Sequence, residues 1–348
     1  MKNIHKKLLF HEFMGGIAIH GVILAAGEGI RIGELTQKVP KALLPCLGRT
    51  LIEHLVDTLL QVGIDEVSVG IGWKGNEVRT LIESIYPRDQ VRCIDVPSYQ
   101  VGPLQTLVTT TSGLDDTLLI CPVDFFVDPA VVLQVSASLK ERSPFDLLVA
   151  TDASSQRGTP ITIDDNLSIL KIGEGTTRSA MMLVASTKFL GYCRNALQTG
   201  ATRIVQVIEN LIEEKQKVVA TTIRGFWADI DTLADLLATN TTLLKEHISS
   251  SDILFIPDGD HVEIGEALSL ASDIHIGAGV KFKGPVLVSR DTRIGENCTI
   301  GPNICVQGQS NILEGCTLAD SIVFGASSIS PGTSVSRMIV HNSRFYMV

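Results

Sequence analysis

The chain has 348 residues, of which 45% are hydrophobic, 19% are charged and only 5% are aromatic. This length predicts two domains of ordinary size, each with enough apolar residues to form a core. Acidic residues outnumber basic ones by 38 to 29, and the net charge of −9 excludes a basic footprint for nucleic acid and disfavours an anionic membrane surface.

The N-terminal residues 1–18 form an extension that lacks the long apolar core of a signal peptide. Elsewhere in the sequence, the apolar runs fall short of the roughly 18–20 residues of a membrane span. The seven cysteines include no Cys-x-x-Cys pair, and most have apolar neighbours, which is typical of buried thiols in a reducing compartment. We therefore expect a cytoplasmic protein without a membrane partner.

Segments typical of strands and helices alternate in the first half of the chain. The last helix of this part is predicted to run from about Asp231, as its N-cap, to His247. The alternation predicts a Rossmann-like α/β domain over 19–248, with a mixed, mainly parallel sheet and with ligands at the carboxyl ends of its strands. The segments are strand-length apolar runs at 19–25, 67–71, 91–96, 117–121 and 146–150, and helical patterns near 50–62, 76–85, 103–112 and 129–140.

The turn after the first strand has the composition of a phosphate-binding loop. Gly27 and Gly29 let a phosphate approach backbone N–H groups, and Arg31 adds a fork of charged donors. Lys41 follows Pro40 in a proline-stiffened stretch that holds the lysine in one direction. The spacing differs from that of a P-loop, so we expect a phosphate site of another kind.

Asp124 comes just after the apolar strand at 117–121. A carboxylate at the carboxyl end of a parallel strand faces the ligand crevice, and carboxylate oxygens suit Mg²⁺. The other role open to such a residue, capping the helix that begins near Pro129, fits Asp128 better. The sequence therefore predicts Asp124 as a metal ligand.

The C-terminal part, 249–348, has a six-residue repeat instead of helical patterns. Every sixth position is apolar, the residue two places earlier is small or β-branched, and glycine often follows. This period predicts a parallel β-helix of about four coils over roughly 264–329, and it resembles the left-handed β-helix of hexapeptide-repeat proteins. The apolar positions are Ile264, Leu270, Ile276, Phe282, Val288, Ile294, Ile300, Val306, Ile312, Leu318 and Phe324.

The segment 24–45 resembles a family signature. Its letters, Leu-Ala-Ala-Gly-x-Gly-x-Arg, then Thr and Pro-Lys-x-Leu-Leu-Pro, are similar to those of sugar-1-phosphate nucleotidylyltransferases, many of which carry a C-terminal left-handed β-helix. The resemblance implies that an NTP and a sugar 1-phosphate react, with Mg²⁺, to give an NDP-sugar and pyrophosphate. It implies catalytic roles for Arg31 and Lys41. The implied nucleotide-binding positions in this segment are Leu24, Ala25, Ala26, Gly27 and Gly29.

Two further segments extend the resemblance. The stretch Trp227-Ala228-Asp229-Ile230-Asp231-Thr232 is similar to the family's second acidic motif, which implies that Asp229 is a second metal ligand. Gly102 and Gln105 lie in a segment that resembles the helix start where the family reads the nucleotide base. An ordinary helix N-terminus is an equal alternative for that segment.

The segment that would bind the sugar phosphate departs from the family pattern. Many members have Glu-Lys-Pro after a strand, with the lysine on the sugar phosphate, whereas this chain has Lys171-Ile172-Gly173-Glu174. Glu174 would match the glutamate. Lys171 would either replace the lysine from a nearby position or be an ordinary solvated strand residue.

Three other functions stay open. A cytidylyltransferase for a polyol phosphate is favoured by the Ile-Asp-Thr that follows Asp229. A non-catalytic regulatory or assembly subunit is favoured by Val123, where the family usually has glycine, and by the missing lysine. Acyl transfer by the β-helix would need a histidine, and the candidates are His261 and His275, both with apolar neighbours typical of structural histidines. With about four coils, the β-helix is better suited to assembling a homo-oligomer.

Overall fold

The computed structural model describes residues 18–142, 144–248, 268–271 and 273–348. Nearly all of the predicted extension 1–18 lies outside the described residues, as do His261 and Ile264. Contacts divide the chain into two compact units. The N-terminal unit takes its described residues from Met1–Gly29, Val39–Leu43 and Leu51–Asp229, and the C-terminal unit from Ile30–Lys38, Leu44–Thr50 and Ile230–Val348. The boundary at 248/249 stays a sequence prediction.

The helices and the first group of strands follow the predicted order. The described helices are α1 (Leu51–Gln61), α2 (Gly75–Ile85), α3 (Pro103–Thr110), α4 (Pro129–Arg142), α5 (Thr187–Gln198), α6 (Ile204–Glu213) and α7 (Leu233–His247). The strands up to Asp229 are β1 (Ile19–Ala25), β2 (Pro45–Cys46), β3 (Arg49–Thr50), β4 (Val67–Ile71), β5 (Val91–Asp95), β6 (Thr117–Pro122), β7 (Phe125–Val127), β8 (Leu147–Asp152), β9 (Pro160–Ile163), β10 (Ile169–Ile172), β11 (Thr177–Ala185), β12 (Val218–Thr222) and β13 (Trp227–Asp229). None of the described helices is long and apolar enough to cross a membrane.

Strand β1 lies at the centre of the main sheet, parallel to β4 on one side and to β6 on the other. The described strands run in the order β10-β9-β11-β6-β1-β4-β5, and β8 pairs with both β11 and β12. Strand β11 is antiparallel to β6, β8 and β9. The predicted mixed, mainly parallel sheet is therefore confirmed, and the predicted segments lie within a few residues of the observed bounds.

Both faces of this sheet are covered by helices. Val22 and Ile23 of β1 belong to different apolar clusters, because successive strand residues point to opposite faces, and both are completely buried. Leu55 of α1 packs in the cluster of Ile23, and Phe189 of α5 packs in the cluster of Val22. A strand that is buried on both faces carries a nearly continuous apolar run, which explains the composition of β1.

The predicted ligand-binding segments leave the sheet from neighbouring strands. Leu24 of β1 pairs with Pro122 of β6 near the carboxyl ends of these two parallel strands. Beyond these ends, the chain continues to Gly27 after β1 and to Asp124 after β6. The two segments therefore start side by side, at the sheet edge where α/β proteins bind ligands.

The C-terminal unit contains the predicted β-helix. Its strands form three sheets that are parallel apart from the antiparallel pair β26 and β27, and their arrangement is consistent with a left-handed β-helix. The strands are β14 (Leu268–Leu270), β15 (His275–Ile276), β16 (Lys281–Phe282), β17 (Val286–Val288), β18 (Arg293–Ile294), β19 (Thr299–Ile300), β20 (Ile304–Val306), β21 (Asn311–Ile312), β22 (Thr317–Ala319), β23 (Ser321–Phe324), β24 (Ser328–Ile329), β25 (Ser334–Ser336), β26 (Met338–His341) and β27 (Arg344–Met347).

The six-residue count holds for the first described coils, and the later coils are one residue shorter. Val288 pairs with Val306, 18 residues later, whereas Val306 pairs with Val323, 17 residues later. The prediction that Phe324 continues the buried column is therefore wrong, because this coil is one residue shorter and Val323 takes the completely buried position. Phe324 instead stacks on His341, with ring centroids 4.4 Å apart.

Helix α7 also belongs to the C-terminal unit, and its N-cap differs from the predicted one. Thr232 is the N-cap: its hydroxyl accepts a hydrogen bond from the Asp235 backbone, and the Asp235 carboxylate accepts one from the Thr232 backbone. This reciprocal pair is a capping box in which aspartate takes the usual place of Glu or Gln. The prediction of Asp231 as N-cap is wrong, because its carboxylate pairs with Arg31 instead.

Candidate active site

A buried ion pair marks the predicted site in the N-terminal unit. Lys41 begins a short 3₁₀ turn, Lys41–Leu43, and its Nζ donates to Asp124 Oδ2 over 2.5 Å. Both side chains are largely buried, with 8% and 14% of their surfaces exposed. Because an unpaired buried charge is costly, the ion pair offsets part of the cost of burying these two side chains. The structure thus brings together two residues that sequence reasoning selected separately.

The donor set around Asp124 suits a hard divalent cation. Asp124 Oδ1 is buried and accepts no hydrogen bond within the described part of the chain. A carboxylate oxygen of Asp229 lies within 4.8 Å of one of Asp124. Oxygen atoms at this separation can share one cation, and Mg²⁺ prefers carboxylate ligands. The residues therefore fit the metal that the sequence implies.

Asp229 reaches this position through a two-stranded ribbon. Strand β13 pairs antiparallel with β7, and Asp229 lies opposite Phe125, the residue that follows Asp124. Phe125 and Trp227 also contact each other, with ring centroids 5.9 Å apart. The ribbon brings two carboxylates together that are far apart in sequence.

Asp152, which the sequence reading did not select, anchors Trp227 next to this ribbon. Its Oδ2 accepts a hydrogen bond from Trp227 Nε1 over 2.9 Å, and its Oδ1 accepts bonds from the backbone and hydroxyl of Ser154 and from the Ser155 backbone. Burial would raise the pKa of Asp152, but the hydrogen bonds from Ser154, Trp227 and Ser155 outweigh it and hold the pKa below its usual value. The sequence feature that could have identified Asp152 is its position at the end of strand β8.

The loop after Asp152 places a second cationic side chain near Asp229. Arg157 Nη1 donates to the backbone oxygen of Asp229 over 3.4 Å. The next residue, Gly158, has φ +92°, and a Cβ there would lie 2.1 Å from the Ser179 oxygen. Glycine is therefore required for this close approach of two backbone segments. No sequence signal identified Arg157.

Arg31 lies in the C-terminal unit, in the 3₁₀ turn Ile30–Ile32. Its guanidinium pairs with the Asp231 carboxylate of the same unit, and 71% of the Arg31 side chain is exposed. Arg31 was predicted to hold the triphosphate, and Asp231 to cap α7. The ion pair between them gives Asp231 a different role.

Gly27 and Gly29 of the first loop differ in backbone conformation and in the space around them. Gly29 has φ +66°, a conformation that favours glycine. A Cβ at Gly27 would meet none of the described atoms within 4 Å, so the space beside it is open. Ala26 accepts a hydrogen bond from the Trp73 backbone over 2.9 Å, and Ala25 is buried at the end of β1. The open space is compatible with the predicted phosphate contact.

The predicted base-reading residues begin α3. Gly102 has φ +138°, and a Cβ there would lie 2.6 Å from the Thr202 oxygen, so packing alone accounts for this glycine. Gln105 is half-buried, and its amide donates to Thr109 Oγ1 over 2.8 Å along the same helix. Base reading by Gly102 and Gln105 stays a prediction.

Lys171 is an exposed residue of β10, and Glu174 is an exposed residue two positions after the end of that strand. They pair with each other at 2.9 Å, and 58% and 68% of their side chains are exposed. The pairing of β10 with β9 is irregular between Ile169 and Lys171. Both Ile169 and Ile172 line a cavity whose described lining does not include Lys171 or Glu174. The role of Lys171 and Glu174 in binding a sugar phosphate stays a prediction.

That cavity, hereafter the acceptor cavity, lies in the N-terminal unit and has a volume of about 300 Å³. It opens beside strand ends that carry the predicted site. Its described lining consists of Leu24, Pro103, Ile120, Pro122, Val149, Thr159, Ile161, Ile169, Ile172, Ser179, Met181, Leu183, Arg203, Ile204, Val205 and Ile208.

His275, the described candidate for acyl transfer, lies on the outside of the β-helix. It pairs in register with Arg293, which pairs in turn with Asn311, so the three residues form a polar column. They line a cavity of about 660 Å³. No contact of His275 points to acyl chemistry in the described residues.

Two regions of the chain match known families. Residues 21–219, more than half of the chain, match the MobA-like NTP transferase domain. Residues 282–344 match the GMPPB C-terminal domain.

Curated relatives are similar along most of the chain. Probable mannose-1-phosphate guanylyltransferase 2 of Arabidopsis thaliana is 24% identical over 334 residues, which cover 92% of this chain and 85% of the relative. Low-salt glycan biosynthesis nucleotidyltransferase Agl11 of Haloferax volcanii is 23% identical over 89% of this chain and 88% of its own.

A solved structure has a similar fold over more than half of the chain. The inositol-1-phosphate CTP transferase from T. maritima superposes with a TM-score of 0.56 and 15% identity, over 63% of this chain and 92% of that chain. Together with the site geometry, these matches establish that the chain belongs to the MobA-like NTP transferase family, among the sugar-1-phosphate nucleotidylyltransferases and their relatives.

Proposed function

We propose that this protein transfers a nucleotide from an NTP to the phosphate of a sugar 1-phosphate, giving an NDP-sugar and pyrophosphate. The observation that carries the proposal is the buried Lys41–Asp124 pair with the Asp229 carboxylate beside it. The sugar-1-phosphate relatives support the acceptor class. Family membership supports the choice of an enzyme over a non-catalytic subunit.

The reaction needs no protein nucleophile. A phosphate oxygen of the acceptor attacks the α-phosphorus in line, and the bond from that phosphorus to the pyrophosphate leaving group breaks. Catalysis then consists of positioning and of stabilising negative charge. Lys41, held in place by Asp124, supplies a fixed positive charge, and the backbone at Gly27 and Gly29 supplies N–H donors.

Asp124 and Asp229 are the residues that would hold Mg²⁺. Bound there, the metal ion supplies charge neutralisation on the triphosphate. Asp124 would serve two purposes, because one oxygen pairs with Lys41 while the buried Oδ1 remains for the cation. The contact of Arg31 with the triphosphate stays a prediction of the family resemblance.

The test is pyrophosphate release from the purified full chain with Mg²⁺, each of the four common NTPs and a panel of sugar 1-phosphates. We expect Lys41→Met to lower kcat by about 100-fold or more, because a preorganised charge at the reaction centre is lost. Lys217→Met is the matched control, since Lys217 is an exposed lysine of the same unit. NTP binding without turnover for any pair would refute the enzyme in favour of a non-catalytic subunit.

A cytidylyltransferase acting on a polyol phosphate is the second candidate. The observation in its favour is that Lys171, offered for the sugar phosphate, is paired with Glu174, and both side chains are exposed. The same panel decides between the two, if CTP and inositol 1-phosphate are included. Faster pyrophosphate release with that pair than with any sugar 1-phosphate would establish the second candidate.

A further inference from the structure

The acceptor cavity differs in character from the charged residues around Asp124. Its described lining is dominated by aliphatic side chains from β8 to β11 and from α6. Thr159 and Ser179 add hydroxyl groups, and Arg203 is the charged residue among the described lining residues. A pocket with an apolar wall and few polar groups selects ligands with an apolar body.

Several residues that line the cavity lie close in sequence to residues of the proposed reaction centre, within the N-terminal unit. Leu24 immediately precedes the Ala25-Ala26-Gly27 turn, and Pro122 comes two residues before Asp124. Pro103 follows Gly102 at the start of α3. A ligand in the cavity would therefore lie beside the strand ends from which the phosphate-binding segments leave.

Local backbone irregularities direct apolar side chains into this cavity. The irregular pairing within β10 lets both Ile169 and Ile172 line it, although strict alternation would turn them to opposite faces. In β11, Met181 has φ +61°, a conformation rare for residues other than glycine, and its pairing with β8 shifts between Ser179 and Leu183. Strain of this kind often marks ligand sites.

A fully hydroxylated sugar ring fits this lining poorly. Each hydroxyl that leaves water without a hydrogen-bond partner weakens binding. The described lining offers few side-chain partners, chiefly Thr159, Ser179 and Arg203. Apolar ring atoms, in contrast, favour binding when they leave water.

We propose that the acceptor is a phosphate monoester whose organic part is ring-sized and largely apolar, such as a deoxygenated or alkylated sugar or polyol, and that this part occupies the acceptor cavity. The proposal rests on the proposed function and narrows its substrate class. A volume of about 300 Å³ accommodates one substituted ring. Arg203, which is among the described lining residues, is the charged partner that the proposal assigns to the phosphate.

The first test measures binding to the full chain without NTP, so that it does not depend on turnover. Cyclohexyl phosphate, inositol 1-phosphate and glucose 1-phosphate have rings of the same size and differ in hydroxylation. We expect calorimetry to give a Kd for cyclohexyl phosphate at least 10-fold lower than for the other two. Octyl phosphate distinguishes a lipid-like ligand, and tighter binding of it than of cyclohexyl phosphate would overturn the proposal.

Two substitutions on the same strand locate the binding. Ile172→Asn places an amide in the cavity and should weaken cyclohexyl phosphate binding at least 10-fold. Leu170→Asn is the matched control, because Leu170 is 52% exposed and absent from the described lining, and it should leave binding unchanged. Equal effects of the two substitutions would overturn the proposal.

Met181→Gly is a second variant in case Ile172→Asn does not fold. Glycine adopts the φ of +61° without strain, so this variant is expected to fold while it removes an apolar wall of the cavity. Cyclohexyl phosphate should bind at least threefold more weakly. If the wild-type chain binds glucose 1-phosphate as tightly as cyclohexyl phosphate or more tightly, the inference of an apolar acceptor is refuted, but the proposed function is not. A lack of pyrophosphate release with every acceptor and NTP refutes the proposed function.

Discussion

At the scale of single residues, Asp152 organises the surroundings of Asp229 without being a candidate ligand itself. Its carboxylate accepts hydrogen bonds from Trp227, 75 residues away, and from the start of the loop that carries Arg157. The sequence identified Lys41 and Asp124 because each has a local signal: Lys41 lies in a proline-stiffened stretch, and Asp124 lies at the end of a strand. Asp152 has its main partner far away in the chain, so its role emerged only from the folded structure.

We expect Asp152→Asn to lower the free energy of unfolding by roughly 1–3 kcal/mol, because an amide cannot accept from every donor that the carboxylate satisfies. Urea denaturation at neutral pH measures the change. Asp165→Asn, at an exposed position in the same unit, is the control and should change it by less than about 0.5 kcal/mol. Equal stabilities of the two variants would contradict the anchoring role of Asp152.

The difference in unfolding free energy between the wild type and Asp152→Asn should depend on pH in a defined direction. The pKa of Asp152 is lower in the folded chain than its usual value, so the carboxylate stabilises the fold at pH values above the unfolded pKa of about 3.9. This stabilisation is lost as the pH falls through the folded pKa. The gap in stability between wild type and Asp152→Asn should therefore shrink below about pH 4, and a gap that widens there would contradict the assignment.

At the scale of elements, β-bulges and close approaches shape the site more than the regular strands do. Gly158 touches the backbone of β11, and the irregular pairing in β10 turns Ile172 into the acceptor cavity. The sequence predicted the strands well because apolar periodicity is a local property. Bulges depend on the partner strand, so the sequence did not identify Ile172, and it suggested Lys171 only through the family's Glu-Lys-Pro motif.

Two glycines give opposite predictions for the same substitution. Gly158→Ala should destabilise the chain by roughly 1–3 kcal/mol, because its φ is +92° and the new Cβ would overlap the Ser179 oxygen. Gly191→Ala, inside α5 with open space around it, should stabilise the chain by about 0.5–1 kcal/mol. Thermal unfolding of both variants measures the contrast, and a stabilised Gly158→Ala protein would refute the close approach.

At the scale of the whole molecule, the β-helix was predicted as an assembly domain, and this function stays a prediction. Its largest sheet ends in β27, which pairs with β26 on one side and is the edge strand among the described strands. Phe345 and Met347 of β27 are exposed, at 45% and 80%. Exposed apolar edge strands favour pairing with another chain.

We expect the full chain to sediment as a homo-oligomer and the double variant Phe345→Ser, Met347→Ser to shift toward the monomer. Sedimentation velocity at several concentrations measures the shift. Leu133→Ser is the control, because it removes an exposed apolar side chain from α4 in the other unit. A monomeric wild-type protein, or an equal shift in the control, would rule out assembly through β27.

The sequence by itself determined the two kinds of repeating structure and the residues with a local signature. Alternating apolar segments predicted the α/β sheet, the six-residue period predicted the β-helix, and the first turn identified Gly27, Arg31 and Lys41. These features could be read because each depends on residues close together in the chain. Phe324 marks a limit of this reading, since one residue missing from a coil changes the register of every later strand.

The tertiary structure decided what those residues contact. It paired Lys41 with Asp124, brought the Asp229 carboxylate close to that of Asp124, and matched Arg31 with Asp231. It also formed an apolar cavity where a sugar-binding lysine was sought. These contacts join residues tens to hundreds of positions apart, and strand register, bulges and packing determine which side chains meet. Local periodicity contains none of that information, so only the folded chain could supply it.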